Sequence, residues 1–148
     1  MPLRSSGKSI VINRFNPPDV WSPFGAFSMG VVQGDGHIVH LKGQVALDDQ
    51  GQIVGRGDMR VQVRRVLTNI QSVLGHVGGQ MGDVFSLTHY LTDIDAFMSA
   101  GDVRAEFFSA PYPVTTTVEV SRLYDPELMV EITAIAEIPK TRFIRPDR

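Results

Sequence analysis

Residues 58–77 read DMRVQVRRVLTNIQSVLGHV, and the fold is decided there. Met59, Val63, Val66, Leu67, Ile70, Val73, Leu74 and Val77 recur every three or four positions, one continuous apolar stripe on a helix of 3.6 residues per turn. Asp58 stands where a side-chain oxygen can accept from the free N–H groups of a first turn, and Gly75 or Gly78-Gly79 supplies the stop. Arg60, Arg64 and Arg65 fall on the outer side. A helix with one apolar side must bury it against a second layer.

Downstream, Val84–Leu91 is a β-rich run, and Thr92-Asp93-Ile94-Asp95 offers capping side chains for a second helix reaching about Phe108. Phe97, Ala100, Arg104, Phe107 and Phe108 carry its helical spacing. Gly101 in its middle costs about 1 kcal/mol relative to alanine, which calls for a packing or site reason. Val114–Val120 and Met129–Ile138 read as the last two strands, joined by a loop containing Asp125-Pro126. Upstream, Phe27–Val32 and His37–Leu41 flank Gln33-Gly34-Asp35-Gly36, and Asp-Gly between apolar runs predicts a hairpin. Val45–Leu47, a turn at Asp48-Asp49-Gln50-Gly51 and Ile53-Val54 extend this into an antiparallel meander. Residues 1–24 are irregular and proline-rich, with a short edge strand expected at Ile10–Asn13. The order β-β-(β)-α-β-α-β-β predicts a two-layer α+β domain, one sheet with two helices on one face.

Alternation divides each terminal strand between two faces. Val114, Thr116, Val118 and Val120 on one strand, and Val130, Ile132, Ala134 and Ala136 on the other, are expected beneath the helices. Thr115, Thr117 and Glu119, with Met129, Glu131, Thr133 and Ile135, then form a half-apolar second face. The chain has no third layer to cover it, which points to a partner subunit.

Composition bounds the chemistry. Basic and acidic residues nearly balance, 14 Lys+Arg against 16 Asp+Glu, which argues against a dedicated nucleic-acid binder. The absence of cysteine excludes disulfides, thiolate nucleophiles and Cys-ligated metal, and fits a reducing, cytoplasmic setting. His37, His40, His76 and His89 show no metal spacing, no nucleophile-elbow string occurs, and Ile10-Val11-Ile12 is too short to span a membrane.

Several strings resemble the RidA-like family of reactive intermediate deaminases, also called YjgF or L-PSP. They are Gly43-Gln44-Val45 with Leu47-Asp48; Gly57-Asp58 with Gln62, Arg64, Val66-Leu67 and Asn69; and Tyr90-Leu91-Thr92-Asp93 with Phe97 and Ala105-Glu106-Phe107-Phe108. Thr117-Val118-Glu119-Val120 with Arg122-Leu123, then Val130-Glu131-Ile132 and Ala134-Ile135-Ala136, resemble the C-terminal signature. The resemblance places a RidA-like domain over residues 25–138, ahead of a basic tail over residues 139–148.

That family implies a chorismate-mutase-like fold and a homotrimer with ligand clefts between subunits. It also implies hydrolysis of enamines or imines such as 2-aminoacrylate to a keto acid and ammonia, with no cofactor and no metal. Glu131 matches the family's water-associated glutamate and Gly43 the glycine lining the cleft. Four positions depart. The arginine of the family's Pro-x-Arg motif falls at Thr115, so the planar fork that would hold a substrate carboxylate is missing. The tyrosine of Gly-Pro-Tyr is Phe27, the serine before Gly-Gln is Lys42, and the asparagine of the second helix is Gly101. Lys42 and Arg104 are the candidate replacement cations, and a Lys42 amine with a lowered pKa could attack a carbonyl. The expected catalytic residue is therefore Glu131, with Lys42, Gly43, Thr115, Phe27 and Gly101 holding a small molecule.

Two functions fit: a divergent cofactor-free hydrolase acting on C=N bonds, or a non-catalytic small-molecule-binding or regulatory trimer. Family members are also described as ribonucleases. The tail basic residues Lys140, Arg142, Arg145 and Arg148 are too few for strong phosphate binding, and such tails are expected to be solvated or to dock on a neighbouring subunit.

Overall fold

A computed structural model describes residues 9–147; Met1–Lys8 and Arg148, within the expected N-terminal segment and tail, lie outside the described residues. The elements are β1 (Asn13–Phe15), β2 (Gly30–Val32), β3 (His37–His40), β4 (Gln44–Val45), α1 (Met59–His76), β5 (Val84–Leu91), α2 (Ile94–Met98), α3 (Gly101–Ala105), β6 (Val114–Glu119) and β7 (Val130–Ile138), with a 3₁₀ turn at Met81–Asp83. The α+β class holds.

Helix α1 forms where the stripe predicts. The Asp58 carboxylate accepts from the Val61 N–H at 3.1 Å. At the other end Gly78, with φ +83°, lets the Gly79 N–H reach the Leu74 carbonyl at 2.8 Å. Met59, Val63, Val66, Leu67, Ile70 and Leu74 are buried, each such aliphatic contributing about 1.5–3 kcal/mol, while Val73 lies at the rim, 42% exposed. Two amides on this helix fasten the loops around it. Gln62, fully buried, donates to the carbonyls of Gly55 (3.0 Å) and Glu127 (2.9 Å) and accepts from the Met129 N–H (2.8 Å). Asn69 donates to the carbonyls of Val45 and Leu47, holding β4 in place.

The main sheet has five strands. Strand β7 runs antiparallel to β3, β4 and β5, and β6 is added parallel to β5 at the far edge. All three helices cover one face, where Val130, Ile132, Ala134 and Ala136 of β7 are fully buried.

Five expectations are corrected. The hairpin between residues 27–32 and 37–41 does not form: β2 pairs with β1 in a separate two-stranded ribbon, and β3 pairs with β7. A two-residue Asp-Gly hairpin turn needs positive φ at both central residues, and neither Asp35 nor Gly36 adopts it. Instead the N–H groups of Gly34 and Gly36 donate to the buried Glu137 carboxylate at 2.8 and 3.2 Å, pinning this loop to the end of β7. The first strand sits at Asn13–Phe15 rather than Ile10–Asn13.

The second helix is two short ones. Asp93 caps the first as expected, accepting from the Ala96 N–H. The Ser99 hydroxyl then donates back to the carbonyls of Asp95 and Ala96, and the chain breaks at Ser99-Ala100 before restarting at Gly101. Gly101 is thus a helix start, where its backbone freedom costs less than in a helix interior.

The two faces of β6 are exchanged relative to expectation. Register pairs Leu87 with Thr115, His89 with Thr117 and Leu91 with Glu119, and these β5 residues are buried beneath the helices. Thr115, Thr117 and Glu119 therefore face the helix layer, and Val114, Thr116 and Val118 the open side.

The tail, expected to be solvated or to dock on a neighbouring subunit, is not simply solvated: part of it packs on its own chain. The Arg142 guanidinium forks onto Asp83 (2.6 and 2.9 Å) and donates to the Gly78 carbonyl. The Ile144 N–H bonds the Val77 carbonyl, and Phe143 stacks on His37 at 4.1 Å between ring centroids.

Candidate functional site

The sequence-predicted site residues separate into two groups on opposite faces of the sheet. On the open face, alternation along β7 presents Glu131, whose register partner on β5 is Tyr90. The Glu131 carboxylate occupies the space a Cβ at position 43 would need, so any larger residue there would displace it. Neither hydrogen bond nor ion pair engages this half-buried carboxylate among the described residues. Lys42 precedes Gly43 in sequence but is exposed, its Nζ only 3.5 Å from the Gly43 carbonyl, with no ion pair to Glu131. The same face carries Ile38, Phe85, Val118 and Ile135, and an open depression of about 670 Å³ lies between it and β2.

The second group lies in the helix layer. Thr115 faces that layer from β6, two residues from Thr117, whose hydroxyl meets His89 Nδ1 at 2.9 Å. His89 is 4% exposed, and burial, with the nearby Arg104 charge adding to it, pushes its pKa down to about 3; the imidazole is neutral. Its ring lies 4.8 Å from that of Phe97, and the Arg104 guanidinium sits over the Phe97 ring at 4.1 Å. A Cβ on Gly101 would stand 3.4 Å from Arg104 Nη2.

Phe27 belongs to neither group directly. It packs edge-on against Phe24 and Trp21, and the next residue ties the cluster to the start of β6. Ser28 donates through its N–H to the Pro113 carbonyl and through its hydroxyl to the Tyr112 carbonyl.

Glu131 and Gly43 thus meet, with Lys42 next to Gly43 but exposed; Thr115, Gly101 and Arg104 share the helix layer, and the sheet separates the two sets. One chain cannot bring them to one small molecule. Glu119, expected beside Glu131, faces the other way and accepts from the Ile94 N–H at 3.0 Å, bridging to the start of α2. His89, Phe97 and Tyr90 are the neighbours that sequence reading did not single out as site residues. A signal existed for Arg104, a charge within an otherwise apolar helical spacing. Among the described residues no group of three His, Asp or Glu side chains is gathered in metal-ligating fashion, and no helix is long and apolar enough to cross a membrane.

The family model described as Endoribonuclease L-PSP matches residues 19–138. A RutC family protein of Saccharolobus solfataricus is 38% identical over 116 residues, covering 78% of this chain and 89% of the relative. Another from Pyrococcus horikoshii is 35% identical over 114 residues, covering 77% and 88%. Among solved structures, a Rid-family protein from Yersinia pestis superposes with a TM-score of 0.78 at 30% identity, covering 87% of this chain and all of that one. RidA from an Antarctic Psychrobacter superposes at 0.63 with 29% identity, covering 79% and 92%. The chain belongs to the L-PSP family of RidA-like (YjgF) proteins.

Proposed function

We propose that this protein is a cofactor-free hydrolase of small imines or enamines, acting in a cleft assembled between copies of the chain, with Glu131 as its general base. The observation that carries this reading is the half-buried Glu131 carboxylate, seated on Gly43 and without a donor among the described residues. A carboxylate so placed can accept a proton from a water attacking the carbon of a C=N bond, then return it to the departing nitrogen. Water adds to the carbon, the carbinolamine collapses to a carbonyl, and ammonia leaves. Separation of the two residue groups by the sheet supports assembly: an edge of one subunit against the open face of another is the way to bring both to one ligand. The apolar residues of that open face suit burial in a homotrimer.

A second reading is a non-catalytic ligand-binding trimer. Threonine at 115 and phenylalanine at 27, where relatives are expected to carry arginine and tyrosine, favour it. The word endoribonuclease in the family description is not carried over to this chain. Arg142 is already engaged by Asp83, and the near-neutral charge gives little electrostatic drive toward phosphates.

Ammonia and keto-acid release from freshly generated 2-aminoacrylate and from bulkier imines tests the first reading. Wild type should release both and Glu131→Gln neither. No release by wild type would leave only the binding reading standing. Light scattering should give three times the 16.3 kDa protomer mass, and a 16.3 kDa particle would rule out the shared cleft.

A further inference from the structure

Three cations decorate the helix layer near α3, and two of them are satisfied. Arg60 forks onto Asp102 at 2.6 and 2.7 Å, and Arg64 onto Glu106 at 2.6 and 3.3 Å. Both acids belong to the α3 region, so its outer side is spent on fastening it to α1. Arg104 points elsewhere. It lies over Phe97, beside the neutral His89, and among the described residues no carboxylate or carbonyl accepts from it. Burial alone moves its pKa, downward, with no counter-charge to oppose the shift. Arginine does not shed its proton inside proteins, so this is a half-buried positive charge whose desolvation nothing among the described residues offsets.

The surroundings suit a planar anion. The guanidinium carbon lies 4.1 Å from the Phe97 ring centroid, within cation–π range, and this contact uses a ring face and leaves the N–H donors free for an anion. Gly101 keeps the space beside Nη2 clear, since any side chain there would start 3.4 Å from it. The Thr115 side of β6 faces the same layer.

We propose that Arg104 is a carboxylate-binding residue, taking the carboxylate of a small 2-oxo or 2-imino acid on its open guanidinium edge beside Gly101. This rests on the hydrolase reading for the identity of the ligand, but not for the charge that binds it. It gives Gly101 a role, as the absent side chain that leaves the guanidinium reachable. It also places the positive charge on a helix residue, whereas the corresponding strand position carries only the Thr115 hydroxyl.

Pyruvate is the probe. Its binding to the full chain is titrated by calorimetry and by the Arg104 Nε resonance, for wild type, Arg104→Met, Arg104→Lys, Gly101→Asp and Lys140→Ala. Wild type should bind. Arg104→Met keeps apolar contact with Phe97 but should weaken binding about 10- to 100-fold, the loss of a charge-assisted pair of hydrogen bonds. Arg104→Lys should retain part of the affinity. Gly101→Asp leaves Arg104 intact and supplies it with an internal carboxylate, so binding should fall there too, in a protein whose helix start an aspartate favours. Lys140→Ala, at an exposed cation outside both residue groups, should bind as wild type. Unchanged binding in Arg104→Met or in Gly101→Asp, or no binding by wild type, overturns the assignment and leaves Arg104 a stacking residue only. Ammonia release is scored separately. Wild type that binds pyruvate through Arg104 yet releases no ammonia fails the hydrolase reading alone. Wild type that releases ammonia with the same KM after Arg104→Met fails the Arg104 assignment alone.

Discussion

The two faces of the main sheet differ less in hydrophobicity than in how completely their polar groups are satisfied. Beneath the helices, Gln62 meets three backbone groups, Asn69 two carbonyls and His89 the Thr117 hydroxyl. Arg104 is the exception in that layer. On the open face Glu131 has no donor, Lys42 reaches only a neighbouring carbonyl, and Ile38, Phe85, Val118 and Ile135 sit beside them. Stability resides on the first face. Chemistry has room on the second, because a group already hydrogen-bonded at full capacity has nothing to offer a substrate.

That contrast can be broken at several points. The largest effect should come from the open face: Glu131→Gln is expected to lower ammonia release by about 10²–10⁴-fold, the range for loss of a general base, while leaving the melting temperature close to wild type. A melting temperature that falls along with the rate would mean Glu131 is structural after all. On the covered face, Gln62→Leu should cost on the order of 3 kcal/mol in urea unfolding, since it orphans two carbonyls and one N–H at once. A loss below about 1 kcal/mol would show that water replaces the amide.

His89 yields a pH-dependent effect of comparable size. Its folded pKa lies near 3, below the unfolded value of 6.5, so between those limits the unfolded chain binds a proton that the folded chain refuses. Stability is complete above about pH 6.5 and falls by about 1.4 kcal/mol per pH unit as acid is added, levelling off near pH 3. Unfolding free energies measured from pH 7 to pH 4 should show this slope in wild type and a shallower one in His89→Gln; equal slopes would place the acid sensitivity elsewhere. The smallest effect is expected at the Arg60–Asp102 pair. Both partners are about half exposed or more, and Arg60→Met should leave the unfolding midpoint unmoved.

How much of this was legible in the sequence depends on how far each signal acts. Helix α1 was readable because cap, period and stop lie within its own span. The face of Glu131 was readable because β7 alternates cleanly between full burial and partial exposure. The faces of β6 were not. Thr115, Thr116 and Thr117 give a nearly even pattern, and a one-residue change of register exchanges the sides. Asp35-Gly36 was misleading because a local turn preference lost to a distant carboxylate, Glu137, about a hundred residues along the chain. The break at Ser99-Ala100 comes from hydroxyl back-bonding, which no apolar spacing reports. The site suffered most. Which residues share a face is a tertiary fact, so Thr115 and Glu131 looked like neighbours in a motif and lie on opposite sides of a sheet.

Asp83 has a mechanical consequence. Arg142 in the tail grips its carboxylate, while Arg14 in β1 donates to the Val84 carbonyl at 3.0 Å, one residue away. The opposing charges of Arg14 and Asp83 add to that hold. Both ends of the described chain are thus moored to the same short 3₁₀ turn. Pulled apart by its termini, the protein would carry the load of both ends at residues 83 and 84, where the turn meets β5, and the ribbon and tail would take the force ahead of the core.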